Sequence, residues 1–230
     1  MKHLYESGAY AERNPTWHEE DAPWKARHIE DIIRRNDLPS GSICEVGCGT
    51  GEILLNLSKA FPESHITGYE IARHAYERAK LKETAAVRFN FGDILEANEN
   101  GFDIVVLADV IEHVENYMAF LKRIKNVAKY KIFHVPLDLS AQSVLRSQPI
   151  MDLRANVGHI HYFYKETLLA ALNDCAYDVI DHNYTASRLE LPNQALSSRL
   201  MSLPRRLAYS INPDLAVRVL GGWSLLVLAQ

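Results

Sequence analysis

Three glycines at alternate positions, Gly47, Gly49 and Gly51 in "ICEVGCGTGEILLNL", follow a short apolar run and open an amphipathic stretch. A strand ending in such a turn lets a ligand approach the backbone and aims free N–H groups at it. The usual occupant is a nucleotide. A dinucleotide fingerprint is G-x-G-x-x-G with an acid about 20 residues on, whereas the spacing here is G-x-G-x-G. Glu70 ends the next apolar run and can take both ribose hydroxyls in either ligand class, so it does not discriminate. Glu45 does, because an acid before the turn repels a pyrophosphate and suits a cationic or amino-bearing ligand. Asp93, in "FGDIL", can accept from an adenine amino group, and "FDIVVLADVIEHVEN" places Asp109, Glu112 and His113 just beyond another apolar run.

Histidine is the side chain that titrates near neutral pH and can serve as a general base. His113 and His161 are the candidates for catalysis. His134 lies inside a strand pattern and reads as structural. His159 and His161 in "GHIHYF" share a face if that segment is extended, but no third ligand stands beside them, so no metal is expected. Cys44, Cys48 and Cys175 are too few for a disulfide framework and none forms a CxxC pair; they read as reduced, packed thiols of a cytoplasmic protein.

These residues need a scaffold. Ile29, Ile32 and Ile33 mark one face of a helix over 22–36, with Pro23 in its first turn. Strand and helix patterns then alternate: "SICEV", "GEILLNLSKAF", "HITGYE", "ARHAYERAKL", "AVRFNFGD", "FDIVVLAD", "VENYMAFLKRIKNVA" and "YKIFHVPL". Tyr117, Phe120, Leu121 and Ile124 form the stripe of the last of these helices. Such alternation means βαβ crossovers and a doubly wound α/β fold with helices on both faces of a parallel sheet. In that fold the carboxyl ends of the strands converge on one crevice, where ligands bind. Residues 138–160 read as a long, weakly patterned connection. "KETLLAALNDCA", "YDVIDHNY" and "GWSLLVLAQ" complete the chain as helix, strand and strand.

The 230 residues suit a single domain. A net charge of −4 argues against non-specific nucleic-acid binding. Neither a secretory leader nor an apolar run of membrane-spanning length is visible.

The series "EVGCGTGE", "TGYE", "GDI" and "FDIVVLADVIEHV" resembles the motifs of class I S-adenosylmethionine-dependent methyltransferases with small-molecule substrates, and is similar to ubiquinone-biosynthesis O-methyltransferases. The resemblance covers residues 40–137 and continues more weakly through "GHIHYFYKETLLAALNDCAYDVI", where Tyr164 and Ala176 replace the usual Ser/Thr and Gly. It implies a Rossmann-like, seven-stranded sheet of order 3-2-1-4-5-7-6 with an antiparallel last strand, and S-adenosylmethionine as cofactor. It also implies roles for residues. Gly47, Cys48, Gly49 and Gly51 would line the methionine and ribose portion, Glu70 would hold the ribose hydroxyls, and Ile71 would cover the adenine. Asp93 and Ile94 would meet the adenine edge, Ala108 and Asp109 the methionine portion, and Arg27 the cofactor carboxylate.

The expected activity is methyl transfer to a small-molecule acceptor, on oxygen or nitrogen. A nicotinamide-dependent oxidoreductase and a non-catalytic cofactor-binding module are the alternatives. Residues 1–38 form an expected cap, whose aromatics Tyr5, Tyr10, Trp17 and Trp24 and whose His18 either fold over the cofactor or pack the first helix. Residues 185–222 form an expected helical insertion with five arginines and two acids. It is open to reading as a lid, a homodimer surface or a membrane-contacting face, and first of all as a solvated basic face. Leu196, Leu200, Leu203 and Leu207 suggest its apolar stripe, and its charge motivates an anionic acceptor.

Overall fold

The computed structural model describes residues 14–17, 19–191 and 201–230. After a single 3-10 turn at Glu19–Asp21, helix α1 spans Ala22–Arg35 and carries Pro23 in its first turn. Strands β1 (Ser42–Val46), β2 (His65–Glu70), β3 (Val87–Phe91), β4 (Phe102–Ala108) and β5 (Ala128–Pro136) follow, all parallel. Between them run α2 (Glu52–Ala60), α3 (Arg73–Lys80), the short α4 (Ile94–Ala97) and α5 (Tyr117–Ile124). Strands β6 (Val179–Thr185) and β7 (Ser224–Ala229) close the sheet, and β7 pairs antiparallel to both β5 and β6. The strand order is β3-β2-β1-β4-β5-β7-β6.

Each face of the sheet has its own core. Ile29, Ile32 and Ile33 of α1 pack with Leu54 and Leu57 of α2 against one face. Leu121 and Ile124 of α5 pack with Phe133, Val135 and Tyr177 against the other. The apolar runs of β4 and β7 are buried on both sides, which explains their continuous rather than alternating hydrophobicity. None of the described helices is long and apolar enough to cross a membrane.

The structure departs from the sequence pattern in three places. Helix α5 occupies only the centre of "VENYMAFLKRIKNVA", because the side chain of Asn116 caps it from Ala119 N–H and Ala128 already belongs to β5. Residues 138–160 hold two helices, α6 (Ala141–Arg146) and α7 (Gln148–Asn156), the first closed by a Ser140–Ser143 capping box. Neither helix buries a residue fully, so neither needs the strong apolar periodicity that would have marked it. Helix α8 (Lys165–Asp174) precedes β6, and α9 (Ser187–Glu190) follows it.

The third departure concerns α10 (Ser202–Ile211) and α11 (Pro213–Leu220). Leu203 and Leu207 are exposed while Arg205 is buried, so the expected apolar stripe faces outward and one arginine inward; Arg206 and Arg218 are exposed, as a solvated basic face requires. Arg205, Ala208 and Tyr209 share the inward side by their i, i+3, i+4 spacing, and Tyr209 stacks on Trp223 with ring centroids 5.6 Å apart. Leu196 and Leu200 lie outside the described residues.

Candidate functional site

Gly47, Gly49 and Gly51 turn the chain from β1 into α2 with positive φ at all three. The N–H groups of Gly47 and Cys48 both donate to the Tyr69 carbonyl, at 2.8 and 3.1 Å, fixing the turn to β2. Gly51 has φ 84° and an added Cβ would stand 2.4 Å from the Phe89 ring. Only glycine satisfies both the torsion and the close approach there.

Glu70, at the end of β2, accepts from Gly49 N–H at 2.8 Å through Oε2 and from Ala72 N–H at 2.7 Å through Oε1. Burial raises its carboxyl above the ordinary value, and the Ala72 and Gly49 N–H groups oppose that rise. Each oxygen keeps further accepting capacity. Glu45 lies below the turn, almost fully buried, and its Oε2 has no hydrogen-bond partner. Burial pushes its pKa up to about 8; Lys25 opposes the rise, and Glu70 and Asp109 add to it. A buried, unpartnered carboxylate is costly unless a cation or donor arrives to meet it.

A polar chain crosses the end of β4. Lys25 Nζ on α1 pairs with Asp109 Oδ2 at 2.7 Å. Asp109 Oδ1 meets His134 Nδ1 at 2.7 Å, and His134 Nε2 meets Thr185 Oγ1 at 2.9 Å. Burial by itself would raise the Asp109 carboxyl, but the Lys25 ammonium and His134 hold it well below the carboxylate range. Asp109 occupies the left-handed region at φ 56°, a conformation tolerated by Asp and common at functional positions.

Beyond it, the 3-10 turn Ile111–His113 meets the segment before α8. The Glu112 carbonyl accepts from Ile160 and His161 N–H at 2.9 and 3.1 Å. His113 Nδ1 lies 3.1 Å from the Gly158 carbonyl, and His159 Nδ1 lies 2.7 Å from Asp138 Oδ2. The Glu112 side chain is fully buried; burial first, and then Asp109, pushes its pKa far up.

One cavity of about 950 Å³ joins these groups, a volume within the range of small-molecule sites. Glu45, Gly47, Cys48 and Gly49 line it at the turn, and Glu70, Ile71 and Asp93 line it at the ends of β2 and β3. Ala108, Asp109, His113, His134 and His159 line its far part. Trp17 and Trp24 reach it from the front segment, and Leu153 and Val157 from α7 and its end. Glu19 anchors that front segment on Arg78 at 2.7 Å and Lys82 at 3.1 Å. His18, Tyr5 and Tyr10 lie outside the described residues.

Four expected site residues are placed elsewhere. Arg27 is exposed on α1 and does not line the cavity. At 100° per residue it points away from the stripe that carries Ile29 and Ile32, whereas Lys25 lies on that stripe. Gly51 packs against Phe89 rather than facing the cavity. Ile94 is buried in the core, and Leu95 lines the cavity beside it. His161 is turned away, with Nε2 2.9 Å from the Val114 carbonyl; residues 157–164 are not a strand, so its i,i+2 relation to His159 does not put the two rings on one face.

Lys25 is a cavity-lining residue that the sequence reading did not single out. Its signal was a lysine seven and four residues before Ile32 and Ile29, on the buried face of an otherwise apolar stripe. Of segment 185–222, Ser187 lines the cavity, while Arg205, Arg206 and Arg218 do not. Arg206 bonds the Leu189 carbonyl and Arg218 pairs with Glu166, so neither is placed to hold an anion in the cavity.

Comparison with known proteins agrees with this geometry. An N-methyltransferase 4 of Papaver somniferum is 30% identical over 106 residues, covering 43% of this chain and 30% of that protein. An uncharacterized methyltransferase of Mycobacterium bovis is 30% identical over 109 residues, covering 45% of this chain and 54% of that protein. The chain thus spans between 30% and 54% of the length of these curated relatives. The magnesium protoporphyrin IX methyltransferase of Synechocystis PCC 6803, solved with bound S-adenosylhomocysteine, shares the fold at a TM-score of 0.62 and 16% identity, over 90% of this chain and 82% of that one. A family model described as a methyltransferase domain matches residues 17–182, most of the sequence, and the chain belongs to that family.

Proposed function

We propose that the protein transfers a methyl group from S-adenosylmethionine to a small-molecule acceptor. The observation that carries this reading is the pair of buried carboxylates, Glu45 and Glu70, on either side of one glycine turn in a cavity that continues to His113. Bound there, the cofactor supplies an electrophilic methyl on a sulfonium, so the protein's task is alignment and exclusion of water.

Glu70 has accepting capacity left for two ribose hydroxyls while its N–H partners hold it still. Asp93 Oδ1 accepts from Leu95 N–H at 2.8 Å, leaving Oδ2 for an exocyclic amine, and the half-exposed Ile71 offers an apolar face to the base. The unpartnered Glu45 carboxyl lies where positive charge on the ligand would meet it. Lys25 takes the role expected of Arg27: its ammonium reaches into the cavity and has donors beyond the one that Asp109 uses. Trp17, Trp24, Leu153 and Val157 cover the remaining opening.

The acceptor belongs beside His113 and His159, whose imidazoles can take a proton from a hydroxyl or amine. The Asp109 and Asp138 carboxylates lie at that end, whereas burial favours the neutral form of Glu112; the two carboxylates favour a neutral or cationic acceptor over an anionic one.

Calorimetry with S-adenosylmethionine and S-adenosylhomocysteine tests the cofactor, and transfer of a labelled methyl group into metabolite pools tests the reaction. Saturable binding followed by label in a small molecule is expected. No binding of either compound would remove the proposal, and a saturable NADH titration would revive the oxidoreductase reading.

A further inference from the structure

His113 and His159, which line the acceptor end of the cavity, and the buried Glu112 behind them form a donor set that methyl transfer from a sulfonium does not itself require. The Glu112 carboxylate and ring nitrogens of His113 and His159 all lie within 4.8 Å of one another. Both carboxylate oxygens of Glu112 are buried and have no hydrogen-bond partner. The two imidazoles face each other edge to face, with centroids 4.9 Å apart and planes at 79°.

We propose that Glu112, His113 and His159 bind a divalent transition metal, with zinc the preferred ion, at the acceptor end of the cavity.

Three features beyond proximity point to a metal. First, each histidine is oriented through Nδ1, toward the Gly158 carbonyl at 3.1 Å and toward Asp138 Oδ2 at 2.7 Å. A histidine that donates through Nδ1 carries its lone pair on Nε2, and such outer contacts are how metal-binding imidazoles are held. His159 Nε2 is 4.0 Å from Glu112 Oε1, so a closing of about 1 Å brings the donors to the spacing that bonds of ~2.0–2.2 Å require. Second, an ion supplies the partner that the buried Glu112 oxygens lack. Third, the turn bearing Glu112 and His113 is tied to the segment bearing His159 by the two bonds from Ile160 and His161 N–H to the Glu112 carbonyl. The backbone therefore preorganises the three ligands.

Two imidazoles and one carboxylate suit zinc and its first-row neighbours, whereas magnesium and calcium prefer all-oxygen sites. Three protein ligands leave a position open, and two of the three, His113 and His159, line the cavity. The inference builds on the methyl-transfer reading and narrows its acceptor to a hydroxyl compound. When the ion holds that oxygen, the O–H bond breaks and its proton passes to cavity water. The oxygen pair then forms the O–CH₃ bond, and the S–CH₃ pair stays on sulfur.

The test is a Co²⁺ titration of the metal-stripped full-length chain, read by visible absorption and elemental analysis, with Zn²⁺ competing. S-adenosylhomocysteine binding, measured in parallel, reports an intact cofactor site independently of any metal. One Co²⁺ per chain, displaced by Zn²⁺, is expected. Glu112→Gln and His159→Gln should abolish it while binding S-adenosylhomocysteine. Asp138→Asn, which alters only the group holding His159, should weaken it about 10- to 100-fold, and His161→Gln should leave it unchanged. Absence of stoichiometric Co²⁺ or Zn²⁺ in the wild-type chain, or binding unaltered in both Glu112→Gln and His159→Gln, would overturn the assignment. If either result came with intact S-adenosylhomocysteine binding, the metal site alone would fall.

Discussion

Lys25 Nζ stands 2.7 Å from Asp109 Oδ2, joining the helix that precedes the sheet to the left-handed turn that follows β4. The contact closes one wall of the cavity and sets the charge of its centre.

Removing the cation should therefore harm both stability and binding. Lys25→Met leaves Asp109 facing His134 alone, and a loss of about 2 kcal/mol in urea unfolding at pH 7 is expected for a partly buried pair. Asp109 is depressed, so its contribution is present above the unfolded carboxyl value and lost as pH falls; Lys25 is raised, so its contribution is lost only as pH rises past the usual lysine value. The wild-type advantage should accordingly span the whole neutral range. In calorimetry Lys25→Met should bind S-adenosylhomocysteine at least ~10-fold more weakly, about 1.4 kcal/mol, while Arg27→Ala binds normally. Equal effects from both variants would contradict the helix-face assignment.

Glu45 makes the opposite pH prediction. Its folded pKa, near 8, lies above the unfolded value, so the native state holds the extra proton between roughly pH 4.3 and 8. The penalty is absent at low pH, grows through that window and is complete above pH 8. Glu45→Gln should match wild-type stability near pH 4 and exceed it by on the order of 5 kcal/mol at pH 9 in the absence of cofactor. Parallel stability curves for the two proteins would show that Glu45 is ionised without penalty.

Two glycines of one turn should respond differently. Gly51→Ala drives a Cβ into the Phe89 ring, at a cost of about 3 kcal/mol from torsion and overpacking together. Adding Phe89→Leu should return part of it. A Cβ on Gly49 meets nothing within 4 Å, so Gly49→Ala should cost only about 1 kcal/mol of stability yet weaken cofactor binding by narrowing the cavity. Thermal melts and calorimetry on the same samples separate the two effects.

Glu70→Gln tests the ribose role. An amide oxygen can keep one of the two N–H contacts from Gly49 and Ala72, while the amide nitrogen opposes the other. Weakening of S-adenosylhomocysteine binding by about 10-fold or more is expected, a loss typical of one charged hydrogen bond. Unchanged affinity would place the ribose elsewhere.

The parallel strands were legible because each step of the alternation is local: β-branched runs, amphipathic helices and turns within a few residues of one another. Their order came only from the resemblance to class I methyltransferases, since no local pattern says which strands pair. Once the strands are parallel, their carboxyl ends share one edge, so Glu45, Glu70, Asp93 and Asp109 had to converge there. Helices α6 and α7 were not legible, since neither buries a residue fully, although Leu153 of α7 lines the cavity. The direction of α10 was misread for a related reason. Its leucines suggested an inward face, but Arg205 and Tyr209 pack inward and leave Leu203 and Leu207 exposed.

The sequence by itself determined the doubly wound fold, the glycine turn and the acids on its ligand-facing edge, because spacing within short segments dictates them. Only the tertiary structure decided that Lys25 rather than Arg27 enters the cavity, a matter of helix rotation against the sheet. It also decided that His159 joins Glu112 and His113 while His161 turns away. That choice is made by hydrogen bonds between segments some 45 residues apart, such as His113 to the Gly158 carbonyl, and no local pattern specifies which of two neighbouring histidines such a contact will select.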